Sequence, residues 1–305
     1  MTIFTGLSAF PPTPANEEGV VDTQALSVLV DRLAKAGVDS VSVLGSTGTY
    51  AYLDRDQRNR AVTAAVEAAA GRVPVVAGVG ALRTSWSRDL AVAAERAGAS
   101  GLLLAPMSYA KLSDREVADH FKAVAGATGL PLCIYNNPGT TNFEFSYDLI
   151  VELAQVPGIA AVKMPPRVDE GYAIEIRQLR ERGPNGFKIG YSGDWCAAPA
   201  FLAGAEAWHS VVAGVLPEPA VRLTHAAMAG DADETARLQA LCAPMWTLFE
   251  KHGGLRTVYG IAEILGLDVG KAPLPVQGYI GQDQLAGLAA AIDSMTSAAR
   301  WFPDA

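Results

Sequence analysis

Short apolar runs, several of them rich in valine, recur along the first two thirds of the chain with helical patterns between them, and this alternation constrains the fold more than any other feature. The runs are apolar throughout instead of alternating with polar residues, which is typical of strands buried on both faces of a parallel sheet. We therefore predict eight parallel strands, over residues 7–10, 40–44, 74–78, 101–105, 130–135, 159–163, 187–191 and 207–212.

Between the runs, apolar residues recur at the spacing of one helix face. In residues 23–36, for example, Leu26, Leu29 and Leu33 fall on one stripe. The predicted helices are 23–36, 56–70, 85–97, 114–128 and 146–155, and Asp114 and Ser146 are expected to be the N-caps of the last two. Four glycines follow these helices and are expected to end them, namely Gly37, Gly71, Gly98 and Gly129.

A strand-and-helix unit that repeats over eight strands predicts an α/β fold, the (β/α)8 TIM barrel. The doubly wound open sheet uses the same units, but its dinucleotide fingerprint is missing, because residues 78–82 supply a GxG without the third glycine. After Pro217 the strands stop, and helices are predicted over 223–228, 233–250, 257–265 and 282–302. We therefore predict a catalytic barrel over residues 1–222 and a C-terminal helical extension over 223–305 that packs on it.

Charge and composition exclude several classes of function. With 24 Lys+Arg against 32 Asp+Glu, the net charge of -8 argues against nucleic acid or an anionic membrane as a partner. No apolar stretch reaches the roughly 18–20 residues of a membrane span, and the N-terminus does not resemble a signal peptide. The three cysteines form no CxxC pair and the four histidines lack metal-ligand spacing. We therefore expect a cytoplasmic protein with reduced thiols and no metal.

Two residues that could carry chemistry end adjacent predicted strands, where the function of a barrel is located. Lys163 ends the sixth strand and Tyr135 ends the fifth, one unit earlier. Neighbouring strands lie about 4.8 Å apart, so both side chains can reach one substrate atom. A buried lysine amine is a nucleophile toward carbonyls, and a phenol can move the protons. The alternatives are a lysine that extends into solvent and a tyrosine that only packs.

A glycine-bounded turn follows the second strand. Gly45 and Gly48 allow a tight turn, while Ser46 and Thr47 present hydroxyl and N–H groups. Such a turn is suited to a carboxylate or phosphate. A turn that merely caps the following helix remains an equally weighted interpretation.

These motifs, in their order along the chain, resemble the dihydrodipicolinate synthase / N-acetylneuraminate lyase family. The sequence GSTG at 45–48 is followed by YNNP at 135–138, then Lys163, then YSGD at 191–194. Segments 4–6, 72–80 and 238–248 resemble the family too, so the similarity covers essentially the whole chain. The resemblance implies a class I aldolase-type enzyme without cofactor, in which a lysine forms a Schiff base with pyruvate or another 2-oxo acid. It also implies a homotetramer or dimer.

The resemblance assigns roles residue by residue. It implies that Lys163 is the Schiff-base lysine and Tyr135 the proton-transfer tyrosine. The remaining assignments are Ser46 in the hydroxyl relay, Thr47 and Gly48 at the substrate carboxylate, Tyr109 as a further relay tyrosine from a neighbouring subunit, and Gly193, Asp194 and His209 around the outer pocket and the imine.

Three positions depart from the family pattern. Thr49 stands where the family usually has glutamate, and Thr140 stands where dihydrodipicolinate synthases have the arginine that binds the aldehyde substrate's carboxylate. A role in lysine biosynthesis is therefore doubtful. Arg167, in a loop stiffened by Pro165 and Pro166, could bind a second carboxylate instead, or could simply be solvated.

We predict a lyase that acts on a 2-oxo acid such as pyruvate together with an aldehyde or its adduct, with neither nucleic acid nor membrane as a partner. Aldol cleavage or condensation is the leading interpretation. Dehydration or deamination of a substituted 2-oxo acid is the second, because the same imine serves as an electron sink. A barrel that only binds a 2-oxo acid, without catalysis, is a third, suggested by Thr49 and Thr140.

Overall fold

The computed structural model describes residues 3–167, 171–277 and 281–297, and eight parallel strands close into a barrel in sequence order. The strands are β1 Gly6–Ala9, β2 Ser40–Val43, β3 Val75–Gly78, β4 Gly101–Leu104, β5 Leu132–Tyr135, β6 Ile159–Met164, β7 Lys188–Tyr191 and β8 Ala207–Ser210. All eight predicted strands are present, so the predicted (β/α)8 barrel is confirmed.

Helices connect the strands and continue beyond β8. They are α1 Thr23–Ala36, α2 Arg55–Ala69, α3 Thr84–Arg96, α4 Asp114–Ala125, α5 Pro138–Thr141, α6 Tyr147–Ala154, α7 Tyr172–Arg182, α8 Ala197–Leu202, α9 Pro217–Met228, α10 Ala232–His252, α11 Gly254–Leu265 and α12 Gln282–Ser297. The C-terminal helical extension is therefore confirmed. Helical residues predicted at 298–302 lie outside the described residues.

Side-chain caps fix where the helices begin. The Asp22 carboxylate accepts a hydrogen bond from the amide of Ala25 and starts α1, and Ser146 caps α6 as predicted. The prediction that Asp114 caps α4 is wrong. Ser113 is the N-cap, because its hydroxyl accepts from the Glu116 amide while the Glu116 carboxylate accepts from Ser113 in return.

One irregularity in the barrel sets the register at its C-terminal edge. Leu132 pairs with Ile159, but the next residue, Cys133, pairs with Ala161, so β6 carries one extra residue there. After this shift Tyr135 stands opposite Lys163. The bulge thus aligns the two residues that end β5 and β6.

The C-terminal helices pack against the barrel through α10. Its buried face includes Trp246 and Phe249, and the Trp246 ring contacts the Trp208 ring of β8 edge-on at 6.3 Å. α9 runs unbroken across residue 222, where we expected the barrel region to end. Among the described residues, no helix combines the length and apolar character that crossing a membrane requires.

Candidate active site

Lys163 and Tyr135 meet at the C-terminal edge of the barrel. The Lys163 side chain is buried, with 3% of the residue exposed. Its Nζ atom lies 3.9 Å from the centre of the Tyr135 ring and 4.1 Å from the centre of the Phe10 ring. No carboxylate in the described part of the chain forms a salt bridge with Lys163. The amine is therefore held between two aromatic faces and is not neutralised by an acid.

The Tyr135 hydroxyl is the centre of a small hydrogen-bond network. It lies 3.2 Å from Ser46 Oγ and accepts a hydrogen bond from Asn137 Nδ2 at 3.0 Å. Burial alone would raise the pKa of Tyr135, but the charge of Lys163 and hydrogen bonds from Ser46, Lys163 and Asn137 together bring that pKa below its usual value. The phenol is thus placed to exchange protons with a group bound to Lys163.

A strained turn after β2 carries Ser46, which belongs to this network, and the neighbouring Thr47. Leu44 has a φ of 59° and Thr49 a φ of 52°, both in the left-handed region that non-glycine residues rarely adopt. A Cβ atom on Gly78 would lie 1.9 Å from the Leu44 carbonyl oxygen, so only glycine allows the end of β2 to approach β3 this closely. Gly48 is similarly enclosed, with Leu44 N and Thr13 Oγ1 each 3.0 Å from the position of its missing Cβ.

A cavity of about 410 Å³ joins these groups. It brings together five of the predicted site residues, and Ser192, Met107 and the segment 252–256 complete much of its wall. The five are Lys163, Tyr135, Ser46, Thr47 and Thr140.

His209 lies on β8 close to the lysine without lining this cavity. It is 3% exposed, and neither ring nitrogen has a hydrogen-bond partner among the described residues. A Cβ on Gly190, which pairs with Lys163, would lie 2.6 Å from His209 Nε2. Burial, and then the nearby Lys163 charge, hold the pKa of His209 well below its usual value. The imidazole is therefore neutral and unpartnered beside the amine.

Gly193 and Asp194 lie outside the cavity wall. The Asp194 carboxylate is buried and accepts hydrogen bonds from Trp208 Nε1 at 3.1 Å, Ser210 Oγ at 2.6 Å and the Val211 amide at 3.1 Å. Burial raises its pKa to about 6 despite these donors. Gly193 has a φ of 86° and no room for a Cβ beside Pro166. The Asp194 carboxylate thus holds the end of β8, and the expected contact of Gly193 and Asp194 with substrate stays a prediction.

Arg167 is engaged by the protein itself. Its guanidinium donates to Glu175 Oε2 at 2.7 Å and to the Tyr147 hydroxyl at 3.2 Å. The same Glu175 carboxylate accepts from the Tyr147 hydroxyl at 2.6 Å and the Tyr191 hydroxyl at 2.5 Å. Arg167 therefore does not line the Lys163 cavity and is paired with a carboxylate of the protein itself, and its expected contact with a second substrate carboxylate stays a prediction.

Tyr109, the predicted relay tyrosine, does not line the Lys163 cavity within one chain. It is 99% exposed, in the loop after β4. In this single chain it takes no part in the network around Tyr135.

The sequence analysis missed three contributors to the site. Phe10 contacts Lys163, and Asn137 donates to Tyr135. Asn137 belongs to the YNNP motif, so that motif could have indicated its role. The segment 252–256 joins α10 to α11 and carried no motif. In the described part of the chain, no group of three or more histidine, cysteine, aspartate or glutamate side chains could hold a metal ion.

Comparisons with known proteins point in one direction. The family model described as the Dihydrodipicolinate synthetase family matches residues 3–294. The 4-hydroxy-tetrahydrodipicolinate synthase of Azoarcus sp. (strain BH72) is 36% identical over 239 residues, which is 78% of this chain and 80% of the relative. That of Nitrosospira multiformis is 37% identical over 72% of each chain.

Solved structures agree. A dihydrodipicolinate synthase from Agrobacterium tumefaciens str. C58 superposes with a TM-score of 0.94 at 50% identity, covering 96% of this chain and 98% of the other. A putative dihydrodipicolinate synthetase from Pseudomonas aeruginosa gives 0.88 at 30% identity, covering 95% and 99%.

Proposed function

The chain belongs to the dihydrodipicolinate synthetase family, and on that premise we propose that Lys163 forms a Schiff base with pyruvate or a closely related 2-oxo acid. Members of the family are class I, aldolase-type lyases that act on pyruvate, so the chain is a lyase. The observation that carries the proposal is the buried Lys163 amine, without an acidic partner among the described residues, 3.9 Å from the centre of the Tyr135 ring.

The first step joins the amine to the 2-oxo acid. The uncharged form of the Lys163 amine attacks the carbonyl carbon. The carbonyl oxygen takes a proton from Tyr135 and the attacking nitrogen returns one to it, which gives a carbinolamine and restores the Tyr135 hydroxyl. Loss of that hydroxyl as water, with a proton supplied through Tyr135 and Ser46, leaves the imine. Thr47, on the strained turn, would hold the carboxylate of the 2-oxo acid.

The imine then acts as an electron sink. The Tyr135 oxygen, which gave up its proton when water left, takes one from the adjacent carbon and so produces an enamine. The enamine forms a carbon–carbon bond with an aldehyde, and the aldehyde oxygen takes that proton from Tyr135. The reverse sequence cleaves the bond. Water finally adds to the imine and releases the product and the free amine. No metal or organic cofactor takes part in this scheme.

The relatives named 4-hydroxy-tetrahydrodipicolinate synthase raise the question of whether this chain catalyses the same reaction. We propose a different second substrate, because the cavity presents Thr140 where the resemblance places an arginine in true synthases. A threonine hydroxyl cannot replace the bidentate contact of a guanidinium with a carboxylate. Formation of 4-hydroxy-tetrahydrodipicolinate at a rate comparable with that of a relative would refute this part of the proposal.

Tyr109 supports a proposal about assembly. An almost fully exposed tyrosine in a loop at the C-terminal end of the barrel is suited to reach a neighbouring copy of this chain. We propose a homodimer or homotetramer in which Tyr109 of the partner subunit extends the Ser46–Tyr135 relay. Sedimentation analysis of the wild type and of Tyr109→Ala tests the assembly.

Trapping of the imine tests the central proposal. Purified protein is incubated with pyruvate and borohydride, digested, and analysed by mass spectrometry. We expect one modified peptide, whose mass increases by pyruvate less water plus two hydrogens, with the modification on Lys163. The control is Lys188→Ala, which should still be trapped on Lys163, because Lys188 begins β7 at the opposite end of the barrel and pairs with Glu206. An adduct on another lysine, or none, would refute the mechanism, and product analysis separates aldol chemistry from dehydration or deamination.

A further inference from the structure

The C-terminal helices contribute directly to the wall of the Lys163 cavity. α10 ends at His252 and α11 begins at Gly254, and the five consecutive residues 252–256 all line the cavity. The junction lies against the segment just after β8, because a Cβ on Gly254 would be 3.1 Å from Val211 Cγ1. The helical extension therefore supplies part of the substrate chamber as well as packing on the barrel.

The charge of this chamber is opposite to that of the whole chain. Although the protein carries a net charge of -8, the residues that line the cavity include Lys163 and Arg256 and no aspartate or glutamate. Once Lys163 is an imine with the 2-oxo acid, Arg256 is the remaining arginine or lysine among the lining residues. A cavity of this kind concentrates anions.

Arg256 also differs from the other arginine near the site. Arg167 is committed to Glu175, whereas Arg256 has no ion-pair partner among the described residues and is exposed to solvent at the cavity wall. A guanidinium presents a rigid fork of N–H groups that matches a carboxylate in a bidentate manner. Its donors are available to a ligand in the chamber without breaking an internal pair.

We propose that Arg256 determines substrate specificity by binding a second carboxylate, at the end of the substrate away from the imine. This inference rests on the proposed Schiff base at Lys163. The aldehyde partner is then an aldehyde that carries an acid group, and the condensation product is a 2-oxo acid with a distal carboxylate. Arg256 on α11 supplies the cation that is absent at Thr140 on the β5 side of the chamber.

The experiment compares 2-oxo acids that differ only at the far end. 2-Oxoglutarate and 2-oxoadipate carry a distal carboxylate, and 2-oxopentanoate and 2-oxohexanoate are chains of the same length without it. For each acid, and for pyruvate, the concentration that half-saturates borohydride trapping on Lys163 is measured with the full-length protein. The variants are Arg256→Gln and Arg256→Lys, with Arg115→Gln, an exposed arginine of α4, as the matched control.

In the wild type we expect at least one acid with a distal carboxylate to half-saturate trapping at a concentration about 10- to 100-fold lower than its neutral counterpart. Arg256→Gln removes this difference, Arg256→Lys retains part of it, and Arg115→Gln retains all of it. Arg115→Gln leaves half-saturation by pyruvate unchanged, and in the two Arg256 variants half-saturation by pyruvate shifts far less than half-saturation by the acids with a distal carboxylate. A loss that affects acidic and neutral chains equally would indicate a structural role for Arg256 and overturn the inference.

The outcomes also separate this inference from the proposed function. If pyruvate leaves no adduct on Lys163 of the wild type, the Schiff-base mechanism fails, and the inference fails with it. If pyruvate is trapped on Lys163 but the wild type does not distinguish acidic from neutral chains of either length, the mechanism stands and only the role of Arg256 is refuted.

Discussion

Tyr135 and Lys163 are register partners on adjacent parallel strands, and the Lys163 Nζ atom lies over the Tyr135 ring at 3.9 Å from its centre. Tyr135 therefore contributes two separate features to the site. Its ring faces the Lys163 amine, and its hydroxyl contacts Ser46 and Asn137. A substitution that keeps the ring and deletes the oxygen separates packing from proton transfer.

Tyr135→Phe should retain the fold and slow turnover by about 10²- to 10⁴-fold, the usual contribution of a positioned proton-transfer group. Because the Lys163 charge and three hydrogen bonds lower the pKa of Tyr135 against the effect of burial, the wild-type rate should show an ionisation below the usual tyrosine value of 10. That ionisation should vanish from the pH–rate profile of the variant. The measurement is steady-state turnover, or the rate of adduct trapping, over a pH series.

Tyr259→Phe is the control for this change. Tyr259 is also buried, its hydroxyl has no partner among the described residues, and burial raises its pKa to about 12. Its substitution should leave the rate unaffected. Equal rates for Tyr135→Phe and the wild type would remove Tyr135 from the proposed relay.

The strand-end residues could be predicted because a barrel converts sequence spacing into position. Lys163 and Tyr135 lie one strand-and-helix unit apart, and this spacing predicted that they are neighbours, although the extra residue in β6 sets their exact register. Ser46 and Tyr135 are 89 residues apart in the sequence, and their contact depends on the left-handed backbone at Leu44. No local sequence pattern predicts that backbone conformation for a leucine. Arg256 could not be predicted as a site residue either, because α11 follows the last strand and lies outside the repeating strand-and-helix spacing.

Helix α7 shows another limit of periodicity. No helix was predicted between β6 and β7, although Tyr172–Arg182 is helical. Its buried face holds Tyr172 and Glu175 together with two aliphatic residues, so the apolar stripe is interrupted. Glu175 can be buried there because Arg167, Tyr147 and Tyr191 donate to it, a network that depends on tertiary contacts.

His209→Leu should increase stability and decrease activity. Both imidazole nitrogens are buried without partners among the described residues, and an aliphatic side chain removes that cost, which is about 1–2 kcal/mol. If the neutral imidazole serves the imine on Lys163, adduct trapping should slow at the same time. Urea unfolding and trapping rates of the same preparations measure the two effects. Unchanged trapping in a stabilised variant would show that His209 only packs.

The buried Asp194 carboxylate should make stability depend on pH. Its pKa is about 6 in the folded protein against 3.8 for the unperturbed group, because burial disfavours the ionised form. The folded state therefore holds the proton more tightly than the unfolded state, and stability falls as the pH rises from about 4 to 6. The loss is about 3 kcal/mol, from roughly two pKa units.

Asp194→Asn tests this effect with little change in shape. The asparagine oxygen can still accept from Trp208 and Ser210. The free energy of unfolding is measured by urea at pH 5 and pH 7.5, and the difference between the two values should be smaller for the variant than for the wild type. Identical differences would mean that Asp194 keeps an ordinary pKa.

Gly78→Ala should damage both stability and the site, because it acts on the turn that carries Ser46 and Thr47. The new Cβ would lie 1.9 Å from the Leu44 carbonyl oxygen and 2.7 Å from its carbon, and both are backbone atoms that no rotamer change can move. The end of β2 must shift, and the Ser46 hydroxyl shifts with it away from Tyr135. We expect a destabilisation of about 3 kcal/mol or more, together with slower trapping on Lys163 at a temperature where the variant is still folded.

Gly287→Ala is the matched control for this change. Gly287 is exposed on α12 with no atom near its missing Cβ, so there the change should stabilise the protein by about 0.5–1 kcal/mol. If Gly78→Ala is as stable as the wild type, β2 does not need the close approach to β3 on which the strained turn depends.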